Sequence, residues 1–234
     1  VPISVTGLIS SAVPEEHQFN AKAVIHKNLL SWRRNASSKY NSLVNGKTDE
    51  EAEKAIMDLW AKTSTDGTAV HAMLESVVNG ETVTSGGAFE SELFQFHEFL
   101  ARNPDIVPCR SEMSVFGLDA NGKAVIAGQI DLVLKNPYGD YEIIDFKRVS
   151  KDLAPHAPHY GKTWLGDTPL NDHYKYSIQC FLYAALLEMQ TGKAVTRCHI
   201  LQVHADLDEA ILTECSDMKL QARVLLRKCG VAGF

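Results

Sequence analysis

The chain has 234 residues, 45% of them apolar, and a formal net charge of −6. That is enough apolar content for one core, while no run reaches the eighteen residues of a membrane span and the opening VPISVTGLIS lacks the basic start of a secretory signal. The acidic balance argues against a protein that coats nucleic acid, whose affinity comes from Lys and Arg on phosphates, so any such contact must be local or helped by bound cations.

Five Cys (Cys109, Cys180, Cys198, Cys215, Cys229) are an odd number, widely spaced, with no CxxC pair. They predict neither a disulfide framework nor a structural zinc site, and they place the chain in an intracellular, reducing compartment. DEEAEKAIMDLW (49–60) predicts a helix starting near Asp49, with acids in its first turn where the helix dipole favours them. GTAVHAMLESVV (67–78) predicts a second, with Val70, Met73, Leu74, Val77 and Val78 as its apolar stripe. FESELFQFHEFLARN (89–103) predicts a third. The period then changes to two: 112–118, 124–134 and 141–149 read as strands joined by the turn signals DANG and KNPYGD. A loop rich in Pro, Gly and His (154–170) leads to a helix over 173–190, strands at 195–204 and 209–214, and a last helix over 216–228. Helices before and after a central meander predict an α/β fold, a sheet covered by helices.

The strands carry acids where apolar residues are expected. Asp145 and Lys147 share one strand face, with Phe146 on the other. If the 135–140 turn is symmetric about Tyr138, Asp131 lies opposite Asp145. If Asn121-Gly122 is a two-residue loop, Glu112 lies opposite Asp131. Directly opposed residues sit about 5 Å apart, where two like charges at an effective dielectric near 20 repel by roughly 3 kcal/mol. A lone strand Asp is ordinarily a solvated residue. Three carboxylates in a row with Lys147 beside them call for cations, and hard oxygen ligands suit one or two Mg²⁺ or Mn²⁺ ions.

Two helices offer further groups. His71 lies beside its apolar stripe with Glu75 one turn on, and Gly67-Thr68 before it suggests a close backbone approach at a helix start. In the 173–190 helix almost every position from Ile178 to Leu187 is apolar, so Gln179 and Tyr183 are expected to be buried. Lys175, Gln179 and Tyr183 fall at i, i+4 and i+8 on one face. A buried amide without partners costs about 1–3 kcal/mol, so Gln179 needs a phosphate, a lysine, a metal-bound water or a core partner.

The ordered set GTAVH (67–71), Glu112, GQID (128–131), DFK (145–147) and QCFLY (179–183) resembles the RecB-type branch of the PD-(D/E)XK nucleases. ISVTGLIS, HAMLES and KYSIQCFLYAALLE look most like the mitochondrial genome-maintenance exonucleases and related nucleases of large DNA viruses and mobile elements. The resemblance spans 67–190, and more weakly 3–10. It implies a restriction-endonuclease-like core and a Mg²⁺- or Mn²⁺-dependent deoxyribonuclease acting on ends or single strands. It further implies that His71, Asp131, Asp145 and the Phe146 carbonyl hold the metal, that Lys147 serves the attacking water, and that Gln179 and Tyr183 support the lysine and contact the strand. Some RecB-type nucleases carry an iron–sulfur cluster on one early and three late Cys. No Cys precedes Cys109, so no cluster is expected.

Glu112 joins the expected metal environment, and Arg148, Lys151, Lys162 and Lys175 are the expected phosphate contacts. The expected division is one nuclease domain with an N-terminal helical part (1–66), a catalytic core (67–205) and a C-terminal strand and helix (206–234), compatible with excision from a larger protein. DNA is favoured over RNA as partner, and no membrane is expected. An RNA-directed endonuclease and a catalytically silent nucleic-acid-binding module of the same fold are the competing readings. His156 and His159, in the insert 156–174, are read as solvated loop residues rather than ligands.

Overall fold

A computed structural model describes residues 1–84, 86–158 and 162–234, which fall into two units, 1–14 with 70–234 and 15–69. The expected boundary at 66/67 therefore lies at 69/70, and the first fourteen residues belong with the sheet. In chain order the elements are β1 (Ile3–Ser4), α1 (Val5–Ala12), a 3₁₀ turn (Glu15–His17), α2 (Ala21–Arg34), α3 (Asn41–Val44), α4 (Asp49–Val78), α5 (Glu90–Arg102), β2 (Pro108–Leu118), β3 (Ala124–Lys135) and β4 (Tyr141–Arg148). There follow β5 (Thr163–Trp164), β6 (Thr168–Pro169), α6 (Asp172–Thr191), β7 (Val195–Val203), β8 (Ile211–Glu214) and α7 (Lys219–Lys228). No helix among the described residues is long and apolar enough to cross a membrane.

The helical unit, 15–69, packs α2, α3 and the first part of α4 around Ile25, Leu29, Val44, Ala52 and Ile56. The start of α4 is fixed by a reciprocal cap. Thr48 N–H donates to Glu51 Oε2 (2.9 Å) and Glu51 N–H to Thr48 Oγ1 (3.2 Å), which satisfies two of the helix's orphan donors.

Two helices were expected over 49–60 and 67–78; one unbroken helix forms instead. An interior Gly costs only about 1 kcal/mol against Ala, and the flanking helix formers outweigh it. The hydroxyls of Thr65 and Thr68 bond back to the carbonyls four residues earlier. A Cβ on Gly67 would meet nothing within 4 Å, so no backbone approaches it as the sequence suggested.

The sheet unit is α/β, with a mixed central sheet flanked by helices. Its order is β1-β3-β4-β7-β8, with β2 paired to β3; β1–β3 and β4–β7 are parallel and the rest antiparallel. One face packs α1, α6 and α7 over Val5, Ile126, Ile130, Ile143, Ile178 and Leu226. The other packs Val70 and Leu74 of α4 and Phe96 and Phe99 of α5 over Leu132, Leu134, Ile144, Phe146 and Leu201. Phe96 meets Phe146 edge-on at 5.5 Å, a pairing worth about 0.5–1.5 kcal/mol beyond its buried area. The expected stripe of Val70, Met73, Leu74, Val77 and Val78 all packs here.

The β3–β4 register places Leu132 opposite Ile144 and Lys135 opposite Tyr141, the symmetry about Tyr138 read from the sequence. Asn136 Oδ1 fixes that turn by accepting from the N–H groups of Tyr138 and Asp140, each at 3.0 Å. The β2–β3 turn differs from expectation. It is a five-residue loop, 119–123, in which Asp119 Oδ1 accepts from Asn121 and Lys123 (2.9 Å each). An irregularity between Gly117 and Leu118 then shifts the register back, so Met113 still faces Ile130 and Ser111 faces Leu132.

Candidate functional site

β2 occupies one edge of β3 along almost its whole length. The other edge is shared: β1 pairs with Ile126 and Ala127, and β4 pairs only from Leu132 onward. Residues 128–131, the GQID stretch, therefore have no ladder partner on that edge. The ladder stops one pair short of Asp131 and Asp145: the expected register leads to them, but no ladder pairing joins the two. Side-chain alternation also breaks here. Ile130 belongs to the core beneath α6, yet Leu132, two residues on, belongs to the core beneath α4 and α5.

Glu112 lies between the pairs Ser111–Leu132 and Met113–Ile130 but has φ 47°, a left-handed conformation uncommon for a residue with a side chain. It is a kink in β2 and not a ladder partner of Asp131, which corrects the expected direct opposition. It remains within electrostatic reach: burial, then Asp131 and Glu75, raise its carboxyl above the ordinary range.

Asp131 bridges the opening. Its Oδ2 accepts the Phe146 backbone N–H at 2.7 Å, and its Oδ1 lies 3.5 Å from His71 Nδ1. Burial pulls the His71 imidazole down, but the contact with Asp131 outweighs it and the net shift is upward. Phe146 sends its ring into the core beneath α4 and α5.

Asp145 is 2% exposed. Lys147 pairs with its Oδ2, and Gln179 Nε2 donates to its Oδ1 at 3.2 Å. Burial raises the Asp145 carboxyl to about 6 despite the attraction of Lys147. For Lys147, burial is outweighed by Asp145 and Asp131, so the ammonium is held above its ordinary range and stays protonated at neutral pH.

From α6, Gln179 spends its second amide hydrogen on Tyr183 Oη at 3.2 Å. Both residues are buried and satisfied, as their apolar setting predicted. Tyr183 packs so closely on β3 that a Cβ on Gly128 would lie 2.5 Å from its ring. Burial first, then Asp145, pushes its phenol up to about 12.

Tyr176 is a site residue the sequence reading missed. Lys147 Nζ stands 4.8 Å from its ring centroid, and burial, then Asp172, pushes its phenol up to about 12. Spacing could have found it, since 176, 179 and 183 recur at i, i+3 and i+7.

The expected phosphate contacts fare differently. Arg148 lies on the far side of β4, where it pairs with the buried Glu92 (2.8 and 2.9 Å) and sits over the Phe89 ring; it is a structural residue, as strand alternation from Lys147 requires. Lys151 pairs with Asp172, and Lys175 is 3.9 Å from the same carboxylate, so both stand at the start of α6 beside Tyr176's helix turn. The Lys162 carbonyl accepts from the Leu170 N–H at 2.9 Å. His156 is exposed beside Asp152, and His159 lies outside the described residues.

The loop leaving β4 is pinned by groups without catalytic chemistry. Gln202 donates to the Val149 and Lys151 carbonyls, and His173 joins the Leu153 carbonyl to Ser216. Asn171 caps α6 and ties the insert to it through Pro155 and Ala157.

As they stand, no three His, Cys, Asp or Glu side chains among the described residues form a metal cage. One oxygen of Asp131 is spent on Phe146, and both of Asp145 on Gln179 and Lys147. The donor chemistry nonetheless fits a hard divalent ion. Asp131 and Asp145 both act on the Lys147 ammonium, and Asp131 also couples to His71 and Glu112, so the acids along this chain of contacts outnumber its fixed cation.

No protein-family model matches the chain, and no curated protein sequence matches it. Among solved structures it is similar to the crystal structure of SSO0001, at 14% identity over 97% of this chain and 74% of that one, with a TM-score of 0.42. A likeness of that degree carries no argument about family or activity.

Proposed function

We propose that the chain is a metal-dependent nuclease with a PD-(D/E)XK core, hydrolysing phosphodiester bonds in DNA. The observation that carries this reading is the convergence of Asp131, Asp145, Lys147 and His71 at the unpaired edge of β3, where strand pairing opens and polar groups replace the ladder.

Mg²⁺ or Mn²⁺, when bound, would supply charge to polarise the scissile phosphate and lower the pKa of a water. Asp131, Asp145 and His71 would hold it, with Glu112 near enough to tune the charge. Asp145 is held by Gln179, whose amide nitrogen also donates to Tyr183. Lys147 is held as an ammonium by its two carboxylate neighbours, so its role is to orient water or stabilise charge developing on the phosphate, not to remove a proton. The Tyr176 face keeps that ammonium aimed.

The test is incubation of linear, circular, single- and double-stranded DNA and RNA with Mg²⁺ or Mn²⁺, with product lengths read out. The wild type should shorten DNA, and Asp145→Asn, still folded by its melting curve, should not. A wild type inert on every polymer, or an Asp145→Asn protein cutting at the wild-type rate, would sink the proposal.

A further inference from the structure

We infer that the outward face of α2 is a docking surface for single-stranded nucleic acid, with Lys27 and Arg34 on its phosphates and Phe19 beneath a base. The inference rests on the nuclease reading for the identity of the strand. Its physical basis is separate from the catalytic residues.

The chain is acidic overall, yet residues 17–48 contain no Asp or Glu and six Lys or Arg. At the chain's average of 29 acids in 234 residues, that length would hold about four. The acids of the helical unit stand instead at Glu15 and Glu16 and along α4. Where they reach α2 they engage one edge of it: Glu53 takes Lys22 (3.0 Å) and His26 (2.6 Å), and Asp49 takes Arg33 (2.7 Å). Among the described residues, Lys27, Arg34, Lys39 and Lys47 form no ion pair, and all four are exposed.

Periodicity gathers two of these cations on one helix face. α2 buries Ile25 and Leu29, which turns Lys27, Leu30 and Arg34, at i, i+3 and i+7, outward. Leu30 is 63% exposed between them. Lys27 and Arg34 are separated by about 10 Å of helix rise, far enough apart to reach separate phosphates. Phe19, just before the helix, is 72% exposed and meets the Trp60 ring at 5.7 Å in a tilted contact, so most of its ring is open to solvent. Uncompensated cations on α2 and an exposed aromatic at its entry offer what a single strand needs, since its bases are unstacked and its backbone is charged. A neutral protein partner would leave those cations unpaired on burial.

The experiment measures binding of a labelled single-stranded thymidine oligomer to the full chain carrying Asp145→Asn, across a salt titration. Lys27→Glu with Arg34→Glu should lower affinity at low salt and flatten the log–log salt slope by about 1.4, roughly 0.7 for each lost phosphate contact. Phe19→Ala should weaken binding about tenfold and leave the slope unchanged. A folded double variant with wild-type affinity and slope overturns the inference. So does a double variant that loses only its binding to anionic phospholipid vesicles. Cleavage by the wild-type chain is read separately, so a failure of the nuclease reading shows as inert wild type with these binding effects intact.

Discussion

The carboxylate of Asp131 accepts the backbone N–H of Phe146 at 2.7 Å, so a side chain from β3 takes the place of a ladder bond to β4. One oxygen of Asp131 is structural and the other faces His71. Substitutions can separate the two roles. Asp131→Asn keeps an oxygen for Phe146 and should remain folded while cleavage is lost. Asp131→Ala orphans a buried N–H and should lose about 1–3 kcal/mol besides. Equal melting of the two variants would show that the bond contributes nothing.

Gly128 is required by Tyr183. A methyl there would stand 2.5 Å from the tyrosine ring and 2.9 Å from Val5. Gly128→Ala should cost about 1–3 kcal/mol through overpacking. It should also lower turnover, because moving Tyr183 moves Gln179 and so Asp145. Combined with Tyr183→Ala, its cost should shrink, and strict additivity of the two in thermal melts would refute the coupling.

Lys147→Ala should leave metal-induced thermal stabilisation largely in place while reducing turnover by about two to three orders of magnitude, as for loss of a group acting on the transition state. If the defect is cured by raising Mg²⁺, the lysine serves metal binding instead.

Arg148 and Glu92 form a buried pair on the opposite side of β4 from Lys147. Glu92→Ala should destabilise by about 3–5 kcal/mol by leaving the guanidinium uncompensated. Replacing both by Met and Leu should recover much of that loss. Nucleic-acid affinity of the folded double variant should match wild type, and a large drop would restore Arg148 as a phosphate contact.

His173 gives the fold an acid limit. Burial lowers its imidazole below the ordinary 6.5, partly opposed by the Leu153 carbonyl and by Asp152. The unfolded chain thus takes up the proton first. The contribution of His173 is present above pH 6.5 and is lost as pH falls through its lower folded value. His173→Asn should melt at a temperature that changes less between neutral and mildly acidic pH than wild type does. Parallel curves would assign the acid sensitivity elsewhere.

Periodicity made much of the fold legible. The strands, the α6 helix and the two registers follow from alternation and turn chemistry, and the β2–β3 register survived a misread turn because the shift at Gly117 offsets the longer loop. What escaped was local departure from regularity. No pattern announces that Glu112 adopts φ 47°, or that the β3–β4 ladder ends at Leu132, because both follow from how the acids settle among neighbours distant in sequence. Gly67 misled because its cost is small beside thirty residues of helix. Arg148 was assigned by nearness in sequence when strand parity already placed it opposite Lys147. The acid-free run 17–48 was open to reading and is visible only when the sign of charge is followed segment by segment.

The pairing of Ile3 and Ser4 with Ile126 and Ala127 joins segments more than a hundred residues apart. Closing so long a loop before any contact repays it is slow. α6 also follows β3 and β4 in synthesis. A nascent chain therefore carries Asp131 and Asp145 well before Gln179 and Tyr183 exist to fix them. The local β3–β4 turn can set the strand register early, but the Gln179 contact that holds Asp145 forms only once most of the sheet unit has been made.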